Sequence, residues 1–395
     1  GVTIRGRYRR MVDQAEIHRN IVSVYAETRR ELASQLRDNF VVLPDKEQAW
    51  NDLHSLTYDH DRYVRLHAAD AIRAAFPHTP NKEQAWDDLH RPTEDEYQSV
   101  RLHAADAIHI AFPHIPNKEQ AWDDLHRLTE AKDVDVRLHA AAALGSAFPH
   151  IPDKEQAWDD LHRLTEDEYP NVRLHATDAI RTAFPHVPDK KHAWEDLIRL
   201  TGDEDSDVRA SANHSLGRAS ILKATDAESE EEFRKEIENA LTFFARSSKE
   251  VSYFNPSKFC LPFYKSFHAI TFEGAGTDEV QKNLVDAKSA SEGAESKEVL
   301  FEAVENLANA LSEAHNLTDF DATKSDLNAY RHYCDRAADL FGDAEEKAPG
   351  AAGVLRRGLP IIDNRIKELL GEVKEKAKIV CDAADRPESE LACRI

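Results

Sequence analysis

The sequence predicts an all-α protein, an α-solenoid of 36-residue helical hairpins followed by a helical bundle. Three observations carry that expectation. Five tryptophans, Trp50, Trp86, Trp122, Trp158 and Trp194, stand 36 residues apart, and the chain has no others. Around each of them one phrase recurs, clearest as Pro-Asn-Lys-Glu-Gln-Ala-Trp-Asp-Asp-Leu-His-Arg at 116–127, then Val-Arg-Leu-His-Ala-Ala at 136–141 and Phe-Pro-His at 148–150. Beyond Leu222 the period vanishes and apolar residues alternate by four and three. A fixed period of this length marks supersecondary units that bury their apolar faces only against one another.

Taken in order, residues 1–8 are a basic lead, in which Arg5 and Arg7 run on to Arg9 and Arg10, and they read as a solvated tail. Residues 9–43 read as a degenerate N-terminal capping repeat. Phe40 aligns with Phe76, Arg29 with Arg65, and Leu32 and Leu36 with Ala68 and Ile72, while Gln14 stands where a Trp would be. Residues 44–222 hold five repeats. In each, helix A opens on Asp or Asn after a proline, so that Asn117 caps the helix and Gln120 reaches back in a capping box. Ala121, Trp122, Leu125 and Leu128 share its buried face, and Glu119, Asp123 and Asp124 make the outer face acidic. Helix B runs from near Val136 to Phe148, where Pro149 removes a donor and stops it. It packs Val136, Ala140, Ala143, Leu144, Ala147 and Phe148, and so many alanines imply close stacking at about 8 to 10 Å between axes.

The fifth unit loses features, as a terminal unit should: Ile198 replaces the helix A histidine, Ala210 and Ser211 replace Leu-His, and Gly217 enters helix B. Residues 223–395 then read as a bundle with helices near 228–249, 256–272, 277–291, 296–315, 322–346 and 351–384. Gly350, Gly353, Gly358 and Pro360 suggest a break or kink before the last long helix. The aromatic patch of Phe254, Phe259, Phe263, Tyr264, Phe267 and Phe272 is core material.

A formal charge of −22 argues against a general binder of phosphate backbones, so nucleic acid is not an expected partner. The four cysteines, Cys260, Cys334, Cys381 and Cys393, lie far apart without Cys-x-x-Cys spacing, which suits a reduced, cytoplasmic protein. No apolar run approaches the roughly 20 residues of a membrane span. Gly1 and the single Met11 suggest a piece of something longer. There is no Gly-x-Gly-x-x-Gly, no phosphate-binding lysine loop and no paired metal motif, so no cofactor, metal or catalytic residue is expected.

The run Asp-x-Asp-Val-Arg-x-x-Ala-x-x-x-Leu-Gly, at 133–145 and again at 205–217, is similar to HEAT repeats of the PBS-lyase-like type. The resemblance covers about half the chain. It implies a structural role for the arginine after Val, here Arg65, Arg101, Arg137, Arg173 and Arg209, as a ladder to acidic neighbours beside the tryptophan ladder. It also implies that the outward side of helix B lines a concave surface. On that side a helical wheel places Leu66, Leu102, Leu138 and Leu174, flanked by Asp70, Arg73, Asp106, Asp178 and Arg181. The expected function is therefore a protein-interaction scaffold that binds a partner's peptide or helix on this stripe, with self-association through the bundle as a second use. The competing reading is that the leucines pack against the next unit.

Histidine supplies the alternative function, a metal-binding regulator or an enzyme. His54, His90, His126 and His162 recur in helix A; His67, His103, His139 and His175 in helix B; His78, His114, His150 and His186 after the stop. Equivalent histidines stand a helix spacing apart, too far to share one zinc with bonds near 2 Å, which leaves only mixed sites. Deoxyhypusine hydroxylase, a HEAT-like enzyme, holds iron in a Val-Arg-His-Glu-Ala-Ala context. Here Leu66 and His67 occupy the His and Glu places, the same Leu-His stands at 102–103, 138–139 and 174–175, and the carry-over fails in every unit. The bilin lyase relatives offer no transferable nucleophile or base.

Overall fold

Capping, apolar spacing and a proline stop act together in each repeat, and each folds as a helical hairpin. The computed structural model describes residues 13–252, 255–273, 277–291, 295–318, 336, 339, 340 and 349–383. The basic lead, Phe254, Cys334, Cys393 and nearly all of the helix expected at 322–346 lie outside the described residues. The chain divides into two compact units, Gly1–Val208 and Arg209–Ile395.

The first unit opens with a capping hairpin, α1 (Gln14–Asn20) and α2 (Ala26–Asn39). Four full hairpins follow: α3 (Lys46–Thr57) with α4 (Arg62–Ala75), α5 (Lys82–His90) with α6 (Gln98–Ala111), α7 (Lys118–Thr129) with α8 (Val134–Ala147), and α9 (Lys154–Leu164) with α10 (Pro170–Ala183). In the fifth repeat α11 (Lys190–Leu200) is followed in the chain by α12 (Ser206–Thr225). Asp45, Asn81, Asn117 and Asp153 each accept from the backbone N–H three residues on, satisfying an orphan donor of helix A. Gln120 completes no capping box; its amide oxygen accepts from Trp86 Nε1 at 2.8 Å, so the residue binds the preceding hairpin.

Each full helix B ends where Phe-Pro begins, and in the first three hairpins Phe-Pro-His continues as a tight 3₁₀ turn. Phe76, Phe112 and Phe148 are fully buried there. The lysine that opens the following helix A closes the turn: Lys118 Nζ donates to the carbonyls of Phe112 and Ile115, both at 3.1 Å, and Lys154 repeats this with Phe148 and Ile151. Successive B helices pack directly on one another, more closely than successive A helices do. Gly145 permits one such close approach, since a Cβ there would lie 2.6 Å from Ala179 Cα.

The second unit begins inside α12, whereas the sequence period runs on to 222. The reason is packing. Ile221 and Ala224 join one core with Phe233, Ile237 and Phe244 of α13 (Glu230–Lys249) and with Phe263 and Phe267 of α14 (Ser257–His268). Gly217 admits the Phe244 ring, which a Cβ would strike. The unit continues with α15 (Thr277–Ser289), α16 (Glu295–Thr318) and α17 (Pro349–Ala383). The helix α17 is continuous through Gly350, Gly353, Gly358 and Pro360, so the expected break is absent. Two of those glycines instead allow contact, Gly353 beside Thr225 and Gly358 beside Phe267.

Candidate functional site

Helix B places Leu66, Leu102, Leu138 and Leu174 at one register position in four successive hairpins, each half-buried. Leu138 packs at the edge of a cluster formed by Ala141, Leu164, Val172 and Ala176, so it serves its own array as well as its surface. Two of the flanking polar residues, Asp70 and Asp106, are tied across hairpins. Asp70 accepts from Arg37 of the capping hairpin at 2.8 Å and lies 3.1 Å from Arg73. Asp106 bonds His139 Nδ1 of the next hairpin at 2.7 Å. Asp178 sits 3.6 Å from Arg181 on its own helix. The hydrogen bond to Asp106 raises the His139 pKa, while burial lowers those of His67, His103, His109 and His175.

On the other edge of helix B, arginines grip the following hairpin. Arg29, Arg65, Arg137 and Arg173 each donate through Nε and Nη2 to one carboxylate, those of Asp59, Asp95, Asp167 and Asp203, at 2.5–3.1 Å. Fork-to-fork pairing of this kind fixes geometry as well as charge. Arg101 keeps only the Nη1 bonds to two carbonyls, here of Asp95 and Glu96, that Arg65, Arg137 and Arg173 also make, because Ala131 stands where the acid would be. In the C-terminal unit, Arg209 pairs with Glu250 at 2.8 Å.

Sequence reasoning missed a second ladder, on helix A. The second acid of the Trp-Asp-Asp phrase does not face outward with its neighbour: Asp88, Asp124, Asp160 and Asp196 are at most 4% exposed, as is Asp52. Each accepts from the histidine of the preceding hairpin, in the pairs His18–Asp52, His54–Asp88, His90–Asp124, His126–Asp160 and His162–Asp196, at 2.5–2.8 Å. The second oxygen of Asp124, Asp160 and Asp196 takes an arginine three residues on, Arg127, Arg163 or Arg199. That arginine reaches back to Thr93, Thr129 or Thr165, one hairpin earlier. A buried carboxylate satisfied from both sides makes each rung cross-link two hairpins. For Asp88 burial still dominates and pushes its pKa up, against His54, Trp50 and Arg91. The available signal was the fixed spacing of 34 residues between each His and the next Asp.

The tryptophans serve the same joints. Trp50, Trp86, Trp122 and Trp158 are at most 6% exposed, and Trp50 Nε1 donates to Asp88 at 3.0 Å. Two groups of potential metal-ligating side chains occur among the described residues, His90 with Glu94 and Asp124, and His162 with His192 and Asp196. Among the described residues no helix is long and apolar enough to cross a membrane.

No protein-family model and no curated protein matches the sequence. Solved structures are similar in helical arrangement. The CpcE–CpcF complex of phycocyanin lyase from Nostoc sp. PCC7120 is 15% identical, with 73% of this chain and 99% of that chain covered and a TM-score of 0.41. An archaeal HEAT-like repeats protein from Thermococcus onnurineus NA1 is also 15% identical, with 74% and 98% covered and a TM-score of 0.34. YibA of Escherichia coli is 12% identical, with 70% and 93% covered and a TM-score of 0.43. The array is HEAT-like in its own geometry, as stacked hairpins with close-packed B helices.

Proposed function

We propose that this chain is a non-catalytic protein-interaction scaffold whose helix B face binds a partner's peptide or helix. One observation carries the reading: Leu66, Leu102, Leu138 and Leu174 keep part of their surface open at one position in four hairpins, although every deeper position of helix B is closed. A row of partly open apolar side chains at one per hairpin matches an extended segment or helix laid along the array. In a curved array the layer of closer-packed helices is the inner one, so the closer packing of B helices than A helices supports a concave helix B face. Asp70, Arg73, Asp106, Asp178 and Arg181 beside the leucines set register through charge.

The test is affinity capture with the parent chain and with Leu66→Glu combined with Leu102→Glu. Leu138 is left alone because its side chain also packs on Val172 and Ala176. The expected result is unchanged helicity and melting, with partner affinity reduced about tenfold or more, as for central interface residues. Equal capture by both proteins removes the helix B face from the function.

A further inference from the structure

The fifth hairpin departs from the others at one position of the helix A ladder. Gln48, Gln84, Gln120 and Gln156 hold the third residue of helix A in the first four hairpins, and His192 holds it in the fifth. That change brings a second imidazole to a His–Asp rung. The His162 and His192 rings lie 4.9 Å apart, centroid to centroid, and His162 Nδ1 lies 2.7 Å from Asp196 Oδ2. One ligand atom from each of the three residues falls within 4.8 Å of the others.

We propose that His162, His192 and Asp196 bind a single divalent transition-metal ion of the zinc type, which clips α9 of the fourth hairpin to α11 of the fifth. Two imidazoles and a carboxylate are a donor set for four-coordinate zinc, with the fourth place left to water. Asp196 is preoriented: it is 4% exposed, and Arg199 holds its Oδ1 at 3.2 Å. A carboxylate has about four lone-pair sites, so it takes a further partner while that bond remains. His162 is 34% exposed, which gives an ion a path from solvent. Ligand atoms around a tetrahedral ion with bonds near 2 Å stand about 3.3 Å apart. His162 Nδ1 and Asp196 Oδ2, at 2.7 Å, must therefore exchange their hydrogen bond for the ion, and His192 must move towards them. The contact that yields is Trp158 Nε1 to His192 Nδ1, already long at 3.4 Å. The ion replaces protons on its ligands, so affinity falls as pH falls.

The other group, His90 with Glu94 and Asp124, is a poorer match. It supplies one imidazole, and its Glu94 is 60% exposed and 3.7 Å from Arg127. A soft or borderline metal prefers the site with two imidazoles.

The full chain, purified without a histidine tag and stripped with chelator, is titrated with Co²⁺ alone and then with Zn²⁺ in competition. One Co²⁺ per chain is expected, with the strong visible absorption of four-coordinate cobalt, displaced by Zn²⁺, and a melting temperature that rises with bound metal. His192→Gln should abolish the absorption and weaken Zn²⁺ binding about tenfold or more. Its metal-free melting should match the parent, because Gln120 accepts from Trp86 as His192 does from Trp158. Glu94→Gln should change nothing. The site is overturned by a parent without the cobalt band, by equal binding in His192→Gln, or by loss of binding in Glu94→Gln instead. If His192→Gln shifts the metal-free melting curve, a cobalt band retained by His162→Gln overturns it equally.

Discussion

Arg101 shows how much one residue contributes to a joint. Its counterparts Arg65 and Arg137 meet Asp95 and Asp167, but Ala131 stands in the third turn, and Arg101 reaches, among the described residues, no carboxylate. Ala131→Asp should complete the rung and stabilise the array by about 0.5–1.5 kcal/mol, since both partners would be half-buried and already oriented. The check is thermal melting against Ala131→Asn. Equal melting of the two would mean that these rungs contribute nothing net, as many exposed ion pairs do. The arginine ladder was legible because both Arg and Asp keep the period. The inward turn of Asp124 was not, because two adjacent acids on a helix lie only about 100° apart, and which of them meets the next hairpin depends on how the hairpins stack.

At the scale of one element, helix B carries opposed titrations. Burial lowers the pKa of His67, His103, His109 and His175 from 6.5, so folding favours their neutral form. Their contribution is complete above 6.5, the unfolded value, and is lost as pH falls from there through their lowered folded values. His139, raised by Asp106, acts the other way: its contribution is complete below 6.5 and is lost as pH rises through its folded value. Below pH 6.5 the four lowered groups alone still change, because the contribution of His139 is complete there. Melting should therefore fall on acidification from about pH 6.5 to about pH 5.5, by about 2–4 °C for each kcal/mol lost. His175→Gln should flatten that fall, and His139→Gln should lower melting at pH 6.5 relative to pH 7.5. A slope unchanged in both would remove the helix B histidines from the pH response. Helix positions themselves were readable from sequence, down to α13 at Glu230–Lys249 against an expected 228–249. The break expected ahead of α17 was not, because glycine that admits Phe267 looks in sequence like glycine that ends a helix.

For the whole molecule, charge dominates behaviour in solution. At pH 7 the chain carries −22 with its histidines neutral, and protonating all twenty would bring it to about −2. Like-charge repulsion keeps acidic proteins apart, and near neutrality that protection fades. Light scattering should show association as pH falls towards about 5. Unchanged scattering down to that pH would show that charge is not what keeps the chains apart. Division into units also belongs to this scale: the repeat pattern runs to 222, but the compact boundary lies at Val208 and Arg209 because α12 shares a core with Phe233 and Phe244.

What the sequence determined by itself is what repeats: hairpin length, caps, proline stops, the buried Trp and Phe positions, and the rows in which Leu66, Leu102, Leu138 and Leu174 or the arginines stand. Period and local propensity suffice for these, because each residue sees the same surroundings in every unit. Only the tertiary structure decided what lies between units. It turned Asp124 and its equivalents inward to the preceding histidine, sent Gln120 to Trp86, and set His192 beside His162 and Asp196. Those contacts join residues about 34 apart in sequence, and which side chains meet there depends on the rise and twist from one hairpin to the next, set by packing at places such as Gly145 on Ala179.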